Sequence, residues 1–260
     1  MGKKILTTLV GVAVILALVI FFQINPIGGD EVAQTNTPVP TVSRTPTPSP
    51  TRTATPRPTT SPTISPNGMI LLNVSFTAQA PFGEWSDQRQ QDGCEEASAL
   101  MAVRWARGQS LTLQQAKVEI LAISDFEQEK YGSYHDTSVA DTISRIFKDY
   151  FKFNNVTAKY NIDENDIIDE LEKGNLVVVP ANGQKLKNPN FTPPGPERHM
   201  LVIKGYDPVK KQFITNDPGT RQGQSYRYSV TTMMAAIYDY KTGYHEPVTE
   251  IVKAMIVVHK

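Results

Sequence analysis

Ser86–Gly108, S-D-Q-R-Q-Q-D-G-C-E-E-A-S-A-L-M-A-V-R-W-A-R-G, is the stretch on which the reading of the chain turns. It holds the single cysteine of the protein, Cys94, just after a glycine and just before a helical pattern. Ala97, Leu100, Met101, Val103 and Trp105 form a mostly apolar run with few breakers, and Gly108 stops it as a C-cap glycine does. A thiol at a helix N-terminus feels the positive end of the macrodipole, which favours thiolate. Six residues earlier stands Gln88, whose amide can donate a hydrogen bond towards whatever the sulfur attacks. Gln90 and Gln91 lie close by, and spacing favours Gln88. The competing reading of a lone cysteine is a small buried hydrophobe.

Working outward, the chain begins with a different material. Residues 1–4 read as a short cytoplasmic N-terminus, with Lys3 and Lys4 ahead of Ile5–Phe22, 18 residues without a charge. That is long enough for a transmembrane anchor and longer than the apolar part of most cleaved signal peptides. The lysines place the following chain on the extracytoplasmic side of the cell membrane, as a single-pass protein, or as a secreted one if the segment is cleaved. Residues 23–68 read as a disordered linker. Thr37–Pro66 contains nine prolines and ten threonines and has nothing to bury. As polyproline II it could hold a domain up to ~100 Å from its anchor.

Residues 69–260 are long enough for one sizeable core. The whole chain carries 26 basic and 26 acidic residues; five basic and two acidic ones precede residue 69, so the domain holds 21 against 24. That balance gives no reason to expect nucleic acid as a partner. One cysteine permits no internal disulfide. No His-x-x-x-His, paired cysteine or glycine-rich phosphate loop is present, so neither a metal nor a cofactor is expected. Adjacent on a helix, Glu95 and Glu96 point about 100° apart and do not form a natural carboxylate pair. The sequons at Asn73, Asn155 and Asn190 are what chance gives in a chain this rich in Thr and Ser.

Within the domain, strands are expected at Met69–Phe76, Val156–Tyr160, Leu176–Pro180, Met200–Tyr206, Gln212–Thr215 and Ala254–His259. Helices are expected from Cys94, over Leu111–Ile123, Asp136–Tyr150, Asp163–Lys173 and Thr231–Tyr240. The clearest is Asp136–Tyr150, where Val139, Ile143, Ile146, Phe147 and Tyr150 recur at helical spacing. Helices lead and strands follow, which predicts an α+β domain with an antiparallel sheet.

A thiol nucleophile needs a base and a group that orients the base. Of the four histidines, His259 sits at the chain end, His245 in a loop and His135 ahead of a helix. His199 stands where the proline-rich loop 182–198 meets a strongly apolar strand, a rigid mount for a fixed side chain. Eighteen residues on, Asp217 follows the next apolar strand in I-T-N-D-P-G. Two neighbouring antiparallel strands of this spacing can set it beside His199; alone, the same residues read as a turn.

These three blocks together, D-G-C-E-E-A-S-A-L-M-A, H-M-L-V-I-K-G-Y-D and I-T-N-D-P-G, resemble the peptidase C39-like family over about residues 76–220. The resemblance implies a papain-like cysteine peptidase fold, with Cys94 as nucleophile, His199 as general base, Asp217 as its orienting partner and Gln88 as oxyanion donor beside the Cys94 N–H. It also implies a peptide or protein substrate; an amidase or transamidase would use the same triad, and a non-catalytic binding module would keep the scaffold with its triad retained for structure or decayed. Many members have Gly-Pro after the cysteine, where this chain has Glu95-Glu96. Acids there raise the thiol pKa, which leaves most of the activation to a protonated histidine.

Overall fold

The computed structural model describes residues 63–260. The expected anchor at 5–22 and nearly all of the linker lie outside the described residues. Among the described residues no helix is long and apolar enough to cross a membrane. The architecture is mixed helix and antiparallel sheet, as the order of elements predicted.

The described chain opens on a short hairpin, β1 (Thr63–Ile64) and β2 (Ile70–Leu71), so its first strand lies within the span read as linker. Two helices follow, α1 (Gln88–Gln91) and α2 (Cys94–Ala106). Next comes α3 (Leu113–Tyr131), which a Thr112–Gln115 capping box starts and Gly132, at φ +79°, ends. After it α4 (Val139–Asp141) runs directly into a π-helix, Thr142–Tyr150. The rest comprises β3 (Val156–Tyr160), α5 (Glu164–Glu172), β4 (Leu176–Ala181), α6 (Gly183–Leu186), β5 (His199–Asp207), β6 (Gln212–Asn216), β7 (Gln224–Ser229), α7 (Val230–Ala236) and β8 (Ala254–Val258).

The strand order is β1-β2-β5-β4-β8-β3, with β6 and β7 branching from β5, and every pairing is antiparallel. β4 and β8 are buried along their whole length, and β5 at all but Tyr206. That accounts for their near-continuous apolar runs. α2 is buried almost all round, from Cys94 to Ala106 except Arg104, and is held to β5 by Ser98, whose Oγ donates to the Met200 carbonyl at 3.0 Å. This bond ties the nucleophile's helix to the strand that begins at His199.

Three expectations on the elements needed correction. Met69–Phe76 is paired as a strand only at Ile70 and Leu71, with one more backbone bond from the Leu72 N–H to the Lys204 carbonyl at 2.8 Å. β6 runs along β5 from Val202 to Asp207, and β4 pairs with β5 only as far as Ile203, so β2 meets β5 just at Gly205 and Tyr206. Beyond it the carbonyls of Val74 and Ser75 are taken by the Asn216 side-chain amide at 3.2 and 3.3 Å. The helix from Asp136 starts at Val139, and most of it is π rather than α, although Val139, Ile143, Ile146 and Phe147 are all buried as the spacing required. Thr231–Tyr240 shortens to Val230–Ala236, and the strand β7, half exposed and weakly apolar, has no counterpart among the predicted elements.

Candidate active site

Cys94, His199 and Asp217 come together from three elements. Cys94 is the first residue of α2, His199 the first of β5, and Asp217 directly follows β6. Pairing between β5 and β6 sets the start of one against the end of the other, and His199 Nε2 meets Asp217 Oδ1 at 2.8 Å. His199 is 1% exposed and Asp217 fully buried. With Nε2–H donated to the carboxylate, Nδ1 is the nitrogen left to accept a proton. Cys94 and His199 line the same cleft, of about 490 Å³, together with Gln79, Trp85, Asp136 and Arg221.

Asp217 is fixed from every side. Oδ1 also accepts the Gly219 N–H at 3.0 Å, while Oδ2 accepts Tyr228 Oη at 2.5 Å and Asn188 Nδ2 at 3.4 Å. Burial pushes this carboxyl up, but the His199 charge and the bonds from His199, Tyr228 and Gly219 outweigh it and hold it below the usual carboxylate range. Gly219 has no room for a side chain: a Cβ there would lie 2.8 Å from the Phe191 ring and 2.9 Å from His199 Cε1. Phe191 packs edge-on against the imidazole, with ring centroids 5.4 Å apart.

Gln88 does not join the site. It is exposed, it does not line the cleft, and its Nε2 donates to Asp92 Oδ2 at 2.9 Å. Six residues of spacing measure contour length, whereas the intervening Gln88–Gln91 turn of α1 directs the side chain outward. Four amide side chains line the cleft, Gln79, Gln91, Asn190 and Gln222, and Gln79 is the buried one, 5% exposed, with its Nε2 donating one hydrogen to the Gln91 carbonyl at 2.6 Å. Its backbone N–H is held by the Pro218 carbonyl at 2.9 Å, next to Asp217. Gln90 is buried and also lies outside the cleft lining.

The thiol departs from the helix-dipole expectation. Cys94 is 6% exposed, and Sγ donates to Glu95 Oε2 at 2.9 Å. Burial first, then the charge of Glu95, raises the thiol well above its ordinary range. The two glutamates do diverge as expected: Glu95 Oε1 accepts Tyr240 Oη at 2.6 Å, and Glu96 Oε1 accepts Ser124 Oγ at 2.8 Å. His245, a loop residue whose sequence neighbours suggest no role, lines the cleft and meets Arg198 Nη1 at 3.0 Å. His135 and His259 stay outside the cleft lining. Among the described residues no group of three or more His, Cys, Asp or Glu side chains could hold a metal ion.

The sequence model of the Peptidase C39 like family matches residues 71–246, which includes Gln79, Cys94, His199 and Asp217. The chain belongs to this family. A search of curated proteins finds no match. Among solved structures, the chain is similar to a candidate C39-like peptidase from Bacillus anthracis, at 15% identity and a TM-score of 0.42, over 74% of this chain and 98% of that one. Membership in the Peptidase C39 like family supports a peptidase-like hydrolase as the class of protein, with peptides or proteins as the consistent class of substrate.

Proposed function

We propose that the domain is a papain-like cysteine peptidase in which Cys94 attacks an amide carbonyl, His199 receives the thiol proton on Nδ1 and returns it to the leaving amine, and Asp217 orients His199. The carrying observation is the buried 2.8 Å His199–Asp217 bond on the cleft that also holds the chain's one cysteine. Gln79, with a free amide hydrogen in that cleft, takes the oxyanion role first expected of Gln88, beside the Cys94 N–H. Water then releases the acyl group from sulfur. The apolar segment 5–22 and the Thr/Pro-rich linker support a further part of the proposal, that the domain is tethered on the extracytoplasmic face of a membrane.

The test is hydrolysis of a mixed peptide library by the full chain, followed by mass spectrometry. Cys94→Ala and His199→Ala are expected to lose cleavage by at least ~10³-fold, and Gln79→Ala by ~10²-fold. Cleavage that survives Cys94→Ala refutes the assignment. A second reading, a binding module without hydrolysis, draws on the burial of Cys94 and its bond to Glu95. It is favoured if the library yields bound but uncleaved peptides.

A further inference from the structure

The peptidase chemistry leaves one buried group at the nucleophile unused. Glu95 is 2% exposed, and each of its carboxylate oxygens has one partner: Oε2 takes the Cys94 thiol at 2.9 Å and Oε1 takes Tyr240 Oη at 2.6 Å. An ionised carboxylate only accepts hydrogen bonds, so both partners must keep their protons to make these contacts. Tyr240 is 3% exposed and comes from the segment after α7, remote in sequence, so the carboxylate is anchored from outside its own helix. We propose that Glu95, held by Tyr240, is a positioning residue that pins Cys94 as a neutral thiol and sets the pH at which the sulfur becomes reactive. This deepens the peptidase reading and rests on it.

The surroundings of Glu95 explain the direction of the effect. Cys94 and Glu96 flank it on α2, Asp136 faces it from the loop before α4, Glu127 from α3, and Tyr240 from beyond α7. Asp136 itself lies 3.8 Å from Arg198 Nε and 3.6 Å from His245 Nδ1, and His199 lines the same cleft as the thiol from the start of β5. Taking the proton from Cys94 while Glu95 is charged therefore sets two negative charges about 3 Å apart in a site of low dielectric. Burial, then Asp136, raises Glu95 to about 7, against the pull of its bonds to Cys94 and Tyr240. Above that pH the pair is a thiol and a carboxylate. Below it the carboxyl is neutral and no longer opposes a thiolate.

Turnover needs no proton from Glu95. The Sγ proton passes to His199 Nδ1 as the carbon–sulfur bond forms, the carbonyl π pair moves onto oxygen, and His199 protonates the departing amine. Glu95 acts on the step through Cys94 alone, by setting how readily the thiol gives up its proton.

Alkylation by iodoacetamide reads this directly, because Cys94 is the one thiol in the chain. Rates are measured on the full chain from about pH 5 to pH 9. At pH 8, Glu95→Gln is expected to react at least ~10-fold faster than wild type, the gain in thiolate for about one unit of thiol pKa. The two profiles converge below about pH 6, where wild-type Glu95 is uncharged. Tyr240→Phe loses a bond that favours the charged carboxylate, so its inflection moves to higher pH. Glu95→Gln reacting at the wild-type rate or slower at pH 8 overturns the proposal. If that variant does not fold, an unmoved inflection in Tyr240→Phe does so. Faster alkylation of Glu95→Gln in a protein that cleaves no peptide upholds the restraint while the peptidase reading fails.

Discussion

Asp217→Ala removes the acceptor on which four donors converge in a fully buried position. Three of the bonds are well formed, from His199 at 2.8 Å, Gly219 at 3.0 Å and Tyr228 at 2.5 Å, and the Asn188 contact at 3.4 Å is weak. Each buried donor left without its acceptor costs about 1–3 kcal/mol, and three well-bonded donors are stranded here, with relaxation of the cleft holding the sum towards the low end. The expected loss is therefore about 3–5 kcal/mol, or a drop in the urea midpoint of about 1.5–2.5 M at an m-value near 2 kcal/mol/M. Urea titration of the full chain, followed by fluorescence of the buried Trp105, measures it.

Asp217→Asn sharpens the test. The amide keeps the shape and can still accept from His199 and Gly219 through its oxygen, while the Tyr228 hydroxyl turns to accept, so the loss falls to about 1–2 kcal/mol. The sign with pH also follows. The Asp217 carboxyl is lower in the folded protein than in the unfolded chain, so its contribution is complete above the unfolded value near 4 and is lost as pH falls through the lower folded value. The gap between wild type and Asp217→Ala should then be full at neutral pH and narrow below about pH 4. An alanine variant within about 0.5 kcal/mol of wild type at pH 7 would show that the carboxylate is not the organising acceptor of the cleft.

Ser98→Ala should cost about 1–2 kcal/mol in the same titration, because it strands the buried Met200 carbonyl and loosens α2 from β5. Gly205→Ala should destabilise by more than ~2 kcal/mol, since its Cβ would stand 2.4 Å from the Ile70 carbonyl oxygen; hydrogen exchange should show β2 opening, and a silent variant would count against the close approach. Glu127 is raised to about 8 by burial and then by Glu95, so the folded protein holds a proton there that the unfolded chain gives up near pH 4.5. That proton makes stability fall by about 2–4 kcal/mol between pH 5 and pH 8.5, on top of the fall that raised Glu95 and Glu96 contribute with the same sign. Glu127→Gln should therefore make the slope shallower by about that amount in urea titrations at the two pH values.

Where the sequence succeeded, the signal was local. A glycine, a cysteine and a run of small apolar residues mark the start of α2, and the apolar strands that hold His199 and lead to Asp217 have their partners only a short turn apart. The apolar period at Val139–Tyr150 fixed which side chains are buried, whatever the helical register. α3 runs eight residues past its expected end at Ile123 because Ser124–Tyr131 carries little apolar signal, although Glu127 is buried there. β7 went unseen for a similar reason: an edge strand exposes half its residues, and only Tyr226 and Tyr228 hint at a packed face.

The choice between Gln88 and Gln79 shows the limit most clearly. Spacing favoured Gln88 over Gln90 and Gln91, and nothing in the sequence singled out Gln79, further upstream of Cys94. Only the folded loop decides, because Gln79 is fastened to the Pro218 and Gln91 carbonyls and so turned into the cleft, while α1 carries Gln88 to the surface. The sequence by itself determined the residue types of the chemistry, the order of helices and strands, and the strand pairing that seats His199 on Asp217. Tertiary structure alone decided that Gln79 lines the cleft and Gln88 does not, that Tyr228 and Asn188 brace Asp217, and that Tyr240 and the thiol share the Glu95 carboxylate. Those contacts join residues up to 145 positions apart, and a hydrogen bond depends on distance and direction in space, which periodicity along the chain does not encode.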